Sequence, residues 1–218
     1  MDFLLFAGWP IGFAYLLGSV SFAVVMSWVF HLPDPRTFGS GNPGATNMMR
    51  SGNRPAALFT LIGDTLKGVF AVLAAEAWLP AATPPGLAQS VLAITALAAF
   101  LGHLYPVFFR FHGGKGVATA AGLLMVLHWP LGMGTLLVWV ATFLFTRVSS
   151  VSALAAAAVA PLIALLTLHS TTMRLVVLLM AVLLVWRHRS NIRKLMAGEE
   201  TAFKPRLRLV SSRRDPRG

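Results

Sequence analysis

Seven apolar runs separated by short polar segments constrain this chain more than any other feature: 3–30, 56–79, 88–110, 117–130, 132–147, 150–168 and 172–186. A segment inside a bilayer must satisfy its own backbone N–H and C=O groups, so each run is expected to be helical. A spanning helix needs roughly 20 residues, and about 17 is the low end. The fourth, fifth and seventh runs are short by that measure, which leaves five spans as the alternative count. Pro130, followed by Gly132 and Gly134, marks a tight turn between the fourth and fifth runs. About seven transmembrane helices are therefore expected, in an all-α membrane protein whose motif-bearing loops share the cytoplasmic face.

The charge distribution supports this class and excludes another. A net charge of +11 would suit a nucleic-acid binder, but ten of the 18 Lys and Arg lie after residue 186 and most others sit in short loops. That is the pattern of an integral membrane protein, and no nucleic-acid partner is expected. With 11% charged residues, 56% apolar residues and a mean hydropathy of +0.72, a soluble globular domain is excluded. The first run lacks a positive leader and is too long for the core of a signal peptide, so it is expected to be retained. The loops with Arg36, Arg50, Arg54, Arg110, Lys115 and Arg147 would share a side with the basic C-terminal segment, and 80–87 on the other side is uncharged. Only Arg174 departs from this. The positive-inside rule then places the N-terminus outside and the C-terminus in the cytoplasm. Residues 1–203 read as one membrane domain. Residues 204–218 read as a basic, disordered tail drawn to anionic lipid headgroups.

The polar residues gather near the ends of the runs on that one side. Two glycine-rich loops stand out, Gly39-Ser40-Gly41-Asn42-Pro43-Gly44-Ala45-Thr46-Asn47 and Gly113-Gly114-Lys115-Gly116. Glycines let backbone N–H groups converge on an anion, and Arg50 and Lys115 add full charge. Neither loop fits the nucleotide-binding pattern, so the expectation is chemistry on phosphorylated compounds at a membrane surface. A second group of residues comprises His103 and His112 beside Lys115, a third is Arg147-Val148-Ser149-Ser150, and a fourth runs from Arg187 to Lys194. In the fourth, His188 and Asn191 are three apart and would share a helix face. His188 can act as a base near neutral pH. Asp64 and Lys67, at i and i+3 inside the second run, read as a self-neutralising pair that pins this helix to a neighbour, in preference to direct chemistry. The chain has no cysteine and no paired-histidine zinc motif, so neither a metal nor another cofactor is expected.

Taken together, the stretches 39–50, 102–116 and His188-Arg189-Ser190-Asn191 with Gly198-Glu199-Glu200 resemble the bacterial acyl-phosphate-dependent glycerol-3-phosphate acyltransferases, in order and spacing across nearly the whole chain. The resemblance implies transfer of an acyl chain from acyl phosphate to the 1-hydroxyl of glycerol 3-phosphate, giving lysophosphatidic acid and phosphate at the bacterial inner membrane. It implies that Ser40 and Arg50 belong to the acyl-transfer region. Gly113, Gly114, Lys115 and Gly116 match the phosphate-binding loop, and His188 and Asn191 match the third motif. A glutamate tied to structural integrity falls on Glu200, with Glu199 as the alternative. The candidate catalytic residues are thus Ser40, Arg50, His188 and Asn191. Gly41, Asn42, Thr46, Asn47, Ser149 and Ser150 join the second loop as candidate substrate contacts, while Asp64, Lys67 and Glu200 are structural. His112 stands where the family often has Lys, and Pro43 and Tyr105 are mild variations. No histidine has Asp five positions on, so the His–Asp dyad of other glycerolipid acyltransferases is missing. An acyl phosphate needs less nucleophile activation than an ester, and either His188 or the substrate's own phosphate can serve as base. The expected partners are the two substrates and membrane lipids, with no obligate protein partner inferred. A transporter of a phosphorylated metabolite and a lipid-holding membrane protein are the competing readings.

Overall fold

A computed structural model describes residues 3–200, with side chains from Ala7 onward; the basic tail expected over 204–218 lies outside the described residues. The described elements are ten α-helices and one short 3-10 turn, with no strand among them. They are α1 (Phe3–Gly18), α2 (Phe22–Val29), α3 (Ala45–Arg50), α4 (Arg54–Trp78), α5 (Pro85–Leu104), α6 (Val117–Leu127), α7 (Trp129–Thr146), α8 (Ser149–Thr167), α9 (Thr171–Arg187) and α10 (Arg189–Met196). The all-α membrane class expected from the apolar runs is what the chain adopts. Four helices, α4, α5, α7 and α8, are long and apolar enough to cross alone, and six spans result if the bent pairs α1–α2 and α9–α10 each count as one. Large side chains point outward, as at Phe145 (89% exposed) and Leu166 (87%), which suits a hydrocarbon surround.

Two runs are not the continuous helices their apolarity suggested. The first breaks between Gly18 and Phe22, where α1 and α2 meet at 44°. Here α1 lies against α5 with backbones almost touching. A Cβ on Gly18 would stand 2.1 Å from the Ala99 carbonyl oxygen, and one on Gly102 would stand 2.2 Å from that of Tyr15. Small residues are what permit such approach in a membrane helix pair. The carbonyl of Val20, in the break, is taken by Lys67 Nζ at 2.7 Å. The fourth run yields only the 11-residue α6, about 16 Å long at the helical rise and half a hydrocarbon thickness.

The short α6 has a geometric cause. It runs parallel to α4, with Thr119 beside Asp64, Gly122 beside Thr65 and Leu123 beside Gly68. On the same stretch of α4, Lys67 meets His103 in the last turn of α5. The end of α5 and the start of α6 therefore reach α4 about 15 Å along from its first residue, given 1.5 Å per residue. The connecting segment 105–116 is recessed to that level, so α6 has only the remaining distance to cover. Beyond it, Leu127, Glu76, Gln89, Thr167 and Ser170 line one cavity of about 280 Å³, which marks the opposite end of the bundle.

Candidate active site

The recessed second glycine loop is built onto the end of α5. After Pro106 the chain makes a 3-10 turn (Val107–Phe109), and Arg110 and Phe111 then take left-handed angles. At Gly113 and Gly114 the loop lies flat on His103. A Cβ at Gly113 would fall 2.1 Å from the His103 carbonyl oxygen, and one at Gly114 would fall 2.2 Å from His103 Nε2. Gly116, at φ +86°, turns the chain into α6, with the Phe100 ring 2.3 Å from where its Cβ would be. The glycines are thus required by protein packed beneath the loop, a reason that spacing in the sequence does not contain. The first N–H groups of α6 have no carbonyl within the helix to bond. A glycine turn with a lysine, feeding a helix N-terminus, is an arrangement suited to anions.

Lys115 ends a polar chain that runs through residues of α10 and α8. Its Nζ donates to Asn191 Oδ1. Asn191 Nδ2 donates to Glu200 Oε1 at 2.6 Å, and Ser150 Oγ donates to the same oxygen at 2.6 Å. Glu200 therefore joins the start of α8 to α10. Burial opposes its charge, but the Ser150 and Asn191 hydrogen bonds and the nearby Lys115 and Lys194 hold its carboxyl below the usual range. Burial pushes Lys115 down to about 8; Glu200 acts upward on it, and Arg50, Arg187 and Lys194 act further downward. Four cations thus share a neighbourhood with one carboxylate, itself already hydrogen-bonded.

His188 is buried just past the end of α9. Its Nδ1 lies 2.8 Å from the Leu184 carbonyl oxygen, which can only accept, so Nδ1 carries the proton and Nε2 keeps a lone pair. That is the tautomer a general base requires.

The first glycine loop closes over this group from the other side. Asn47, 1% exposed, accepts the Ser40 N–H on Oδ1 at 2.9 Å and donates through Nδ2 to the carbonyls of Pro35 (2.7 Å) and Phe38 (3.1 Å). Its amide is fully engaged in shaping the loop. Gly39 and Gly41, at φ +60° and +68°, supply the left-handed turns on either side of Ser40. Thr46 and Ser149 join their hydroxyls at 3.2 Å, which ties the loop to the start of α8. Pro43 packs on the second loop, its carbonyl oxygen 3.0 Å from where a Gly114 Cβ would be. Ser40, Gly41 and Arg50 stay exposed and Asn42 half-buried. No base touches the Ser40 hydroxyl among the described residues.

Asp64 and Lys67 do pair, at 2.8 Å, both fully buried. Lys67 Nζ also meets the Val20 carbonyl at 2.7 Å and His103 Nδ1 at 2.9 Å, so the pair joins α4 to the α1–α2 break and to α5. His103, Arg187 and Lys194, to which the residue pattern assigned no individual role, also belong to this site. Arg187 donates from Nη2 to the Gly113 carbonyl at 2.6 Å and from Nε to the Gly114 carbonyl at 3.0 Å. No signal in the sequence links residues more than 70 positions apart. Among the described residues no three His, Asp or Glu side chains stand close enough to hold a metal.

The glycerol-3-phosphate acyltransferase family model matches residues 9–198, a stretch that holds every residue of this site except Glu200. The chain belongs to that family. A glycerol-3-phosphate acyltransferase of Cupriavidus pinatubonensis is 56% identical over 188 residues, 86% of this chain and 92% of the relative. One from Paraburkholderia phytofirmans is 53% identical over 194 residues, 86% of each chain. Crystal structures of PlsY, an integral membrane glycerol 3-phosphate acyltransferase, share the fold. Its glycerol 3-phosphate form aligns with TM-score 0.83 at 35% identity, over 91% of this chain and 96% of that one. Its lysophosphatidic acid form aligns at 0.81. As a member of an acyltransferase family, the chain fits neither the transporter nor the lipid-holding reading.

Proposed function

We propose that this acyltransferase takes its acyl group from acyl phosphate and places it on the 1-hydroxyl of glycerol 3-phosphate, giving lysophosphatidic acid and inorganic phosphate, the first step of phospholipid synthesis. The observation that carries this reading is the cluster of Lys115, Arg50, Arg187 and Lys194 around two packed glycine loops, countered by Glu200 alone among the described residues. Two anionic substrates would answer that surplus. The second loop and Lys115 hold the glycerol 3-phosphate phosphate. Ser40 and Arg50 face the donor's phosphate. Thr46, Ser149 and Ser150 hold the first loop and Glu200 in register, and Asn191 orients Lys115.

The glycerol oxygen attacks the acyl carbonyl carbon, and the bond from that carbon to the phosphate oxygen breaks. The hydroxyl proton ends on the departing phosphate, so the reaction needs no net exchange with water. His188 Nε2 can relay the proton, or a phosphate oxygen can take it directly. Detergent-purified protein should release phosphate only when both substrates are present, one per lysophosphatidic acid formed. Release from acyl phosphate alone, or equal rates with a thioester donor, would overturn the reading.

Lys115 gives the site a pH signature. With its cation held near 8, the ammonium is largely present at pH 7 and is lost as pH rises through 8. Above pH 7 the substrate phosphate is already a dianion, so KM for glycerol 3-phosphate should rise about tenfold per unit above 8. In Lys115→Arg, whose charge persists throughout, the rise should vanish. A flat wild-type KM up to pH 9.5 would show that the loop lysine does not contact this substrate in its charged form.

We also propose an outside N-terminus and cytoplasmic site, because Arg36, Arg50, Arg54, Arg110 and Arg147 lie in loops or at helix ends on the site side while 80–87 is uncharged. In this cysteine-free chain, Arg110→Cys should be labelled only after the membrane is opened and Ala82→Cys in intact cells. The reverse pattern would invert the orientation in the inner membrane.

A further inference from the structure

One peptide unit in the second glycine loop is gripped at both of its polar ends. The Gly113 carbonyl accepts from Arg187 Nη2 at 2.6 Å, and the N–H of the same peptide, on Gly114, donates to the His103 carbonyl at 3.1 Å. Arg187 Nε then takes the next carbonyl, that of Gly114, at 3.0 Å. A trans peptide points its N–H opposite to its C=O. With Gly114 C=O turned to Arg187, the Lys115 N–H is turned away from it and has no acceptor among the described residues. Arg187 forms no ion pair among those residues either; its other contact is the Tyr105 ring, 5.5 Å from the guanidinium carbon. Such a guanidinium, bonded only to neutral carbonyls, shapes a backbone while adding charge beside it.

The other jaw is anchored in the core. The His103 ring lies where a Gly114 side chain would be, and Lys67 Nζ meets its Nδ1 at 2.9 Å. An ammonium only donates, so Nδ1 accepts and the ring proton sits on Nε2, against the loop. Lys67 is in turn held by Asp64 at 2.8 Å and by the Val20 carbonyl at 2.7 Å. A loop without side chains has no packing of its own to resist rotation of its peptides. Here both rotations are blocked by neighbours.

We infer that Arg187 and His103 are positioning residues of this loop, clamping the Gly113–Gly114 peptide from opposite sides so that the Lys115 N–H and side chain face the bound phosphate, with Asp64 and Lys67 acting through His103. The inference rests on the reading that the loop holds the phosphate of glycerol 3-phosphate.

Full-length protein in detergent tests it, with both KM values, kcat and the thermal midpoint measured for each variant. Lys115→Ala first identifies which substrate the loop holds. Arg187→Lys keeps the charge but cannot span two carbonyls, so it should raise KM for that same substrate about tenfold, the worth of one charged hydrogen bond. The other KM should change less than twofold and the midpoint stay in place. Gly114→Ala should raise the same KM by driving a methyl into the imidazole, and His103→Ala, which removes that jaw, should raise it as well. If Lys115→Ala acts on acyl phosphate, the glycerol 3-phosphate reading fails, and the clamp stands if Arg187→Lys follows it. An unchanged KM in Arg187→Lys or in His103→Ala, or equal rises in both KM values with a falling midpoint in Arg187→Lys, overturns the clamp.

Discussion

Lys67→Met should destabilise the detergent-solubilised protein by roughly 3–5 kcal/mol, the usual cost of removing one partner of a buried ion pair. Asp64 would keep a carboxylate among α4, α5 and α6 with no cation within reach except by protonating His103, 3.6 Å away. The Val20 carbonyl, exposed by the break between α1 and α2, would lose its only donor among the described residues. Asp64→Asn alone should also be costly, because it leaves the Lys67 ammonium buried at 2% exposure. The double variant should lose less than the two singles together, with a coupling of about 0.5–3 kcal/mol. Denaturation of all four proteins in one detergent measures the cycle. Strictly additive losses would mean that the two charges answer to different partners, against the 2.8 Å contact between them.

Arg50→Ala should lower kcat by about 10²–10³-fold, the range seen when one donor to a developing negative charge is removed. Arg50 ends α3 with its side chain exposed at the mouth of the site, and its charge acts on Lys115. On the proposed reaction, charge grows on the departing phosphate, so a cation there strengthens its hold in the transition state. Lys115→Ala should instead act mainly on KM, because the phosphate of glycerol 3-phosphate does not change during the reaction. Equal kcat losses in the two variants would contradict this division. His188→Ala tests the proton's route in the same assay. A general base contributes about 10²–10⁴-fold, and a loss well below that would assign the proton to a phosphate oxygen directly. Mass spectrometry of protein incubated with acyl phosphate alone completes the test: direct attack requires that no acyl adduct form on Ser40.

The helical membrane class followed from the apolar runs because it depends on a local rule. A segment in hydrocarbon has to bond its own backbone, and each run reports its own character without reference to the others. The Asp64–Lys67 pair was legible for the same reason, since three residues along a helix is a local geometry. The grouping of site residues came from motifs, and the resemblance they carry led to the family. Local rules failed at the first and fourth runs. The first is broken and the fourth holds only an 11-residue helix, because the close approach of α1 to α5 and the early stop of α5 are set by neighbours.

The working parts of the site lie further beyond the reach of spacing. Asn47 looked like a substrate contact, and its amide instead holds three backbone groups of its own loop. The glycines of the second loop suggested room for an anion, and the structure shows that His103 and Phe100 fill the space on their protein side. Arg187 read as one charge in a basic stretch until the fold laid it across the carbonyls of Gly113 and Gly114, more than 70 residues earlier. Apolarity and helical period are properties of neighbours in the chain, so the residues alone revealed them. Which peptide a guanidinium grips, and which glycine an imidazole fills, depends on how deep α5 descends and where α9 ends, and those are set by the packing of helices against one another.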